Sequence, residues 1–448
     1  MPIDLLIRGG TLVTPDGTIQ ADLAIDQGTI VALGDPSDAA RDEIDATGLH
    51  IFPGVVDPHV HFNEPGRTEW EGFATGSAAL AVGGGTTFID MPLNSTPPVL
   101  TVEAFDVKAA AGQARSGCDF ALWGGLTPTN LDQLEALADR GVIGFKAFMC
   151  DSGIDDFLRA DDDTLLKGME RAASLGLPIA VHAENQELAV GMTRRVRGEL
   201  ATQGPSAMTT WTASRPPLCE IDAVNRALLF ARHTGCKLHL VHLSTAYAVE
   251  LVETFRPDVD VTCETCPHYL TLTLSDTLRI GPNAKCAPPI RTDANRDALQ
   301  ELARQGGFDF IASDHSPSPS GLKASRDIFD VWGGIAGVQS TLSAVLSLDP
   351  PLPLTQVARL TATHAARRFG LAGKGVIAPG FDADLALVDL HRTFTLTRDM
   401  LLDRHRLSPY IGRTFTGLPI RTLLRGHTIA LDGEAVGHPL GRLITPSA

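Results

Sequence analysis

The sequence predicts an α/β protein: a (β/α)8 TIM barrel over residues 54–370, with a small β-sandwich domain formed by both chain termini, residues 1–53 and 371–448. Three observations carry that expectation. Short apolar runs recur through the middle of the chain with amphipathic or Ala-rich stretches between them. Both ends are instead rich in hairpin signals. Polar residues able to do chemistry fall at the C-terminal ends of the apolar runs, where barrel enzymes keep their sites.

Taken in order, residues 3–52 alternate apolar runs with turns in "LLIRGGTLVTPDGTI", "ADLAIDQGTIVALGD" and "DEIDATGLHIFPG". Gly and Asp-Gly between such runs favour hairpins. The middle then offers "GVVDPHVH", "TTFIDMPL", "DFALWGGL", "VIGFKAFM", "LPIAVHAEN", "KLHLVHLS", "DVDVTCETCPHYL" and "FDFIASDH" as strands. Helical stretches such as "TGSAALAVGGG", "NLDQLEALADRG", "DDDTLLKGMERAASLG" and "EIDAVNRALLFARHTG" separate them. A doubly wound sheet would need a Gly-rich phosphate loop opening its first helix. The nearest candidate, "AVGGGTT", precedes a strand instead of following one. Hairpin material returns in "GVIAPGFDADLALVDL", "LPIRTLLRGHTIALDGEAVG" and "GRLI". Periodicity does not tell which of these terminal strands pair.

A chain of 448 residues, 44% hydrophobic and 20% charged, can bury a sizeable core in one large and one small domain. Lys+Arg 37 against Asp+Glu 53 leaves a net charge of −16, which repels phosphate backbones and argues against nucleic acid as a partner. The start "MPIDLLIRGGTLVTPDG" lacks a signal-peptide pattern, and no apolar stretch reaches the ~20 residues that cross a bilayer. Seven scattered cysteines fit free thiols in a reducing compartment, so a cytoplasmic location is expected.

The chemistry begins at "DPHVHFNEPG", residues 57–66. In a strand, His59 and His61 point the same way. Lys146 lies in the fourth run, His182 ends the fifth, His242 the sixth and Asp314 the eighth. A lone strand-end histidine is ordinarily a hydrogen-bonding residue. Four imidazoles and a carboxylate converging on one mouth require a positive charge, and this donor set suits zinc, iron or manganese. Lys146 has two readings: it snorkels away from the cations, or CO2 has converted it to an anionic carbamate that bridges them. Either way, a lysine inside a barrel must be paired or modified. Cys263 and Cys266 form a C-x-x-C without a second pair and read as packing thiols. His315 is expected to support the ligands, His268 and His364 to be structural.

"PGVVDPHVHFNEPG", "GFKAFM", "IAVHAEN", "HLVHLS" and "IASDHSP" resemble the cyclic amidohydrolase branch of the amidohydrolase superfamily, in order and over nearly the whole chain. The resemblance implies a metal-bearing barrel with a small β-sandwich, hydrolysing amide bonds in rings. It implies two divalent ions per subunit, zinc foremost, with iron, cobalt or manganese as alternatives. His59, His61 and Asp314 would hold the buried ion, His182 and His242 the outer one, and carbamylated Lys146 both. A hydroxide between the ions would attack the ring carbonyl, with Asp314 as the catalytic proton shuttle. A homo-oligomer, dimer or tetramer, is also expected, and no redox cofactor.

Within the branch, dihydroorotases carry an Arg two positions after the second histidine; here Asn63 stands there. Dihydropyrimidinases carry a Tyr beyond the bridging lysine, and "KAFMCDSGIDDFLRA" has none. "EPGRTEWEGFATGSAA", "DMPLNSTPP", "FKAFMCDSGIDDF" and "TCETCPHYL" resemble the allantoinase group, which opens the neutral hydantoin ring of allantoin to allantoate. Asn94, Cys150 and Ser316 are the expected substrate contacts, Asn94 because its amide donates and accepts together. A catalytically silent scaffold of the same fold would lack a ligand, yet every expected ligand is present. A deaminase of this class would lack the lysine.

Overall fold

The structure, a computed structural model, describes residues 2–36, 39–200 and 207–446. Residues 1, 37–38 and 447–448 of the expected β-sandwich, and 201–206 of the expected barrel, lie outside the described residues.

Eight strands form the barrel: β1 Val55–Val60, β2 Gly85–Asp90, β3 Asp119–Leu122, β4 Phe145–Phe148, β5 Ile179–His182, β6 Leu238–Leu240, β7 Val261–Thr265 and β8 Phe310–Ile311. Each lies within its predicted run, except that β2 begins one residue earlier, at Gly85. Neighbours pair in parallel throughout. β1, β2, β3 and β5 are buried at every position, because helices cover one face of the sheet and packed side chains the other. That double burial is why these strands read as continuous apolar runs.

β3 pairs with β2 and then, through Gly124–Gly125, with β4. Glycine is needed at 125, where a Cβ would stand 2.5 Å from Leu100 and 2.7 Å from Phe157. The circle closes where Val60 bridges His315 in parallel and His61 N–H donates to the His315 carbonyl at 2.8 Å.

The outer helices carry ordinary start and stop signals. Helix Asp162–Leu175 is capped by Asp161, whose side chain accepts from Thr164 N–H at 2.9 Å, and it ends at Gly176 with φ 69. Among the described residues, no helix is long and apolar enough to cross a membrane.

The ends of the chain build two further sheets. One has four strands in the order Thr29–Gly34, Asp22–Asp26, Ile3–Arg8, Ala40–Asp45. The other has seven and interleaves both termini: His50–Pro53 lies between Thr11–Thr14 and the long strand Leu385–Thr395, pairing Leu385 with Pro53 and Val388 with His50. Leu5, Ile7, Leu23 and Ile25 of the first sheet share an apolar core with Ile51, Leu385, Leu387 and Leu423 of the second. The run "GRLI" does not join these sheets. Phe120 N–H donates to the Arg442 carbonyl at 2.9 Å, and Ile444 N–H to the Phe120 carbonyl at 2.7 Å. The start of β3 has a partner strand on only one side, and residues 442–444 fill the open edge.

Beneath that edge lies a buried ion cluster. Lys374 Nζ stands 2.6 Å from Asp119, 2.8 Å from Asp382 and 2.7 Å from Asp384, and Arg425 also pairs with Asp119. It joins the start of a barrel strand to the terminal sheets.

Candidate active site

The expected ligands meet at the C-terminal mouth of the barrel. His59 Nε2 and His61 Nε2 lie 3.2 and 3.3 Å from the same oxygen, Oδ1 of Asp314. His182, the last residue of β5, places Nδ1 3.0 Å from His242 Nε2, and the His59 and His242 rings are 5.5 Å apart. Lys146 points inward from β4, fully buried, and its Nζ has no hydrogen-bond partner among the described residues. That nitrogen lies 4.8 Å from the Phe148 ring.

The backbone is strained at the same mouth. Asn63, Asn94, His242 and Asp314 hold φ of 63, 68, 42 and 45, left-handed values that side chains other than glycine adopt at a cost of about 1–3 kcal/mol each. All four follow strand ends, and Asn94, His242 and Asp314 line the mouth.

Two buried glutamates, which the sequence reading did not single out, fix the imidazoles. Glu264 Oε1 accepts from His59 Nδ1 at 2.5 Å, and its other oxygen pairs with His239 Nε2 at 3.1 Å. Glu184 Oε2 accepts from His182 Nε2 at 2.8 Å and from Arg215 at 2.5 Å. An ionised carboxylate only accepts, so each contact assigns the proton. His59 is left with a lone pair on Nε2 and His182 with one on Nδ1, the atoms that face the other ligands.

The charges follow from burial and from these partners. Burial pushes His61 and His182 below the ordinary histidine range, and His242 far below it, so all three stand neutral with lone pairs free. Burial alone would raise Glu184 and Glu264. Arg215 and His182 hold the first down at about 2, and His59 and His239 hold the second at about 2. Burial opposes the charge on Asp314 too, but the imidazoles of His59, His61 and His242 keep it well below the usual carboxylate range. Burial brings the Lys146 amine down to about 7, against the pull of Asp314 and Glu264.

These residues fit divalent cations. His59, His61 and Asp314 each direct one donor atom to a common point. His182 and His242 bring two nitrogens to 3.0 Å, and the Lys146 Nζ lies near carboxylates and imidazoles without a hydrogen-bond partner among the described residues. Imidazole and carboxylate are ordinary ligands for zinc and its neighbours.

A cavity of about 480 Å³ opens above the ligands. Asn94 and Ser316 both line it, the Asn94 amide donating to Ser316 Oγ at 3.5 Å while its carbonyl oxygen has no partner. Cys150, expected on this wall, is not among the lining residues. It is buried behind His182 near Glu184, its thiol donating to the Asp151 carbonyl at 3.7 Å. None of the chain's three tyrosines lines the cavity: Tyr247 is exposed, and Tyr269 and Tyr410 are buried elsewhere. Residues that the sequence reading missed complete the wall, among them Trp211, Arg215, Lys285 and Trp332. His315 Nδ1 accepts from Gly337 and Val338 N–H at 3.2 and 3.4 Å, and His364 contacts the Asp309 carbonyl at 3.1 Å. Cys263 and Cys266 are free and buried in the main core.

Known proteins share this sequence pattern and fold. Residues 50–429 match the Amidohydrolase family. The chain is 51% identical to the allantoinase of Deinococcus radiodurans, covering 100% of this chain and 99% of that one. It is 50% identical to the allantoinase of Rubrobacter xylanophilus, covering 99% and 98%. Among solved structures, L-hydantoinase (dihydropyrimidinase) from Arthrobacter aurescens superposes with a TM-score of 0.95 at 33% identity, over 99% of this chain and 100% of that one. The chain belongs to the amidohydrolase family.

Proposed function

We propose that the protein is a cyclic amide hydrolase that opens the hydantoin ring of allantoin to allantoate, using two divalent cations, zinc foremost. The observation that carries this reading is Lys146: a fully buried amine, without a hydrogen-bond partner among the described residues, close to Asp314 and His242, which line the cavity. His59, His61 and Asp314 would hold one ion and His182 and His242 the other. A carbamate formed from CO2 on Lys146 would serve both. Only a neutral amine reacts with CO2, and a lysine brought down to about 7 supplies one near neutral pH.

Such cations supply a water of lowered pKa and a Lewis acid for the ring carbonyl. The chain's own residues do the rest. Both imidazole contacts of Asp314 use Oδ1, which leaves Oδ2 to accept the proton of the attacking water and deliver it to the departing ring nitrogen. Asn94 and Ser316 offer donors and an unpartnered acceptor to a neutral ring. The absence of tyrosine from the wall argues against a dihydropyrimidinase, and Asn63 in place of arginine argues against a dihydroorotase. Identities of 51% and 50% to allantoinases, against 33% to a hydantoinase, point the same way.

The test is a substrate panel of allantoin, dihydroorotate, dihydrouracil and hydantoin, assayed with metal and bicarbonate supplied. Allantoin should give by far the highest kcat/KM. Equal or better turnover of another ring would overturn the substrate while leaving the metal centre in place. The expected dimer or tetramer is read in the same preparation by light scattering.

A further inference from the structure

Arg215 does not enter the ring-opening chemistry, yet it links the cavity wall to a metal ligand. It lies over the Trp211 ring at 4.7 Å and donates through Nη1 to Glu184 Oε2 at 2.5 Å. The same oxygen accepts from His182 Nε2 at 2.8 Å, and His182 Nδ1 faces His242 Nε2 at 3.0 Å. Glu184 is fully buried, and its second oxygen, Oε1, has no hydrogen-bond partner. A carboxylate in such a place needs an opposite charge beside it, and Arg215 supplies one. Because the carboxylate can only accept, His182 keeps its proton on Nε2 and its lone pair on Nδ1. His59 has its own anchor, Glu264, on the other side of the centre.

We propose that Glu184 and Arg215 are positioning residues that set the tautomer and ring orientation of His182, and so decide the affinity of the outer cation alone. This rests on the two-ion reading given above. Glu184 acts through His182, and Arg215 through Glu184. Glu184→Gln keeps the shape but replaces an obligate acceptor with an amide that also donates, so His182 is no longer held in one tautomer. Arg215→Lys keeps a charge and loses the planar fork that meets Glu184 while lying over Trp211.

The experiment is a Zn2+ titration, by calorimetry and by metal analysis after dialysis, of full-length wild type, Glu184→Gln and Arg215→Lys stripped of metal and resupplied with bicarbonate. Wild type should bind two ions. Glu184→Gln should bind one with wild-type affinity and the other about 10–100-fold more weakly, and excess Zn2+ in the assay should restore part of its kcat. Arg215→Lys should weaken the same ion by a smaller factor, and it decides the matter if Glu184→Gln does not fold. Two ions bound at wild-type affinity, or both weakened equally, would overturn the positioning role. A wild type that binds a single ion would instead overturn the two-ion reading on which the proposal stands.

Discussion

Lys146 and Lys374 are the same side chain in two buried settings, 0% and 4% exposed. Lys374 is saturated by Asp119, Asp382 and Asp384, which outweigh burial and hold it above the usual lysine range. Lys146 has no hydrogen-bond partner, and burial takes it down to about 7. The carboxylates differ in the same way. Asp119 and Asp384 share their charge with Lys374 and Arg425, whereas the ion-pair contacts of Asp314 among the described residues are with the imidazoles of His59 and His61. A buried cation that the fold has paired is a joint. One that the fold leaves unpaired is a reagent, kept in place at the expense of stability.

The sharpest way to break this contrast is Lys146→Ala. Activity should fall by at least ~10⁴-fold, the upper range for a lost acid–base group, because an anionic bridge between cations goes with it. Metal content should fall too, and acetate or propionate should restore part of both by filling the vacated space with a carboxylate. Full metal content without response to either acid would show that the lysine snorkels. Asp314→Asn comes next: it keeps the shape but takes up no proton, and kcat should drop ~10²–10⁴-fold. A variant with near-normal kcat and full metal content would move the proton to another group.

At the joint the expected loss is in stability. Lys374→Met leaves Asp119 and Asp384 short of a counter-charge and should cost about 3–5 kcal/mol in denaturant unfolding. Steady-state constants of the folded fraction should stay as in wild type.

The smallest effect sharpens the contrast by sign. In metal-free protein without CO2, Lys146 binds fewer protons folded than unfolded between about 7 and about 10, so folding stability contributed there rises with pH across that window. Lys146→Met should flatten that part of the profile. Lys374, raised in the folded state, contributes fully below the usual lysine range and fades only as pH climbs above it. Melting temperatures of the two variants against wild type, measured from pH 7 to 10, check both slopes.

How much of this was legible beforehand follows from burial and spacing. The eight barrel strands were, because parallel strands covered on both faces keep unbroken apolar runs. His59, His61, His182, His242 and Asp314 were, because each ends such a run. Glu264 carried a signal that went unread: a carboxylate inside the buried strand "VTCET" requires a partner. Glu184, two residues past His182, is held ionised in its buried place by Arg215, which comes from a distant segment and which no periodicity connects to it. Cys150 was placed by counting along the strand face beyond Lys146. β4 ends at Phe148, so the alternation stops before reaching it. "GRLI" has the composition of a sheet strand, but the edge it fills belongs to the barrel.

The interleaved seven-stranded sheet bears on how the chain folds as it is made. The strands Ile3–Arg8, Asp22–Asp26, Thr29–Gly34 and Ala40–Asp45 can form their sheet from near neighbours. His50–Pro53 can pair early with Thr11–Thr14 along one edge, but its other edge must wait for Leu385–Thr395, more than 300 residues later, and the Arg442–Ile444 strap on β3 arrives later still. Until then an apolar strand edge and the start of β3 stand uncovered on the nascent polypeptide. Such long-range pairings are slow and leave surfaces open to misassociation. Ribosome-bound chains halted before residue 385 should therefore be protease-sensitive at 50–53 while the strands Ile3–Arg8, Asp22–Asp26, Thr29–Gly34 and Ala40–Asp45 are already resistant.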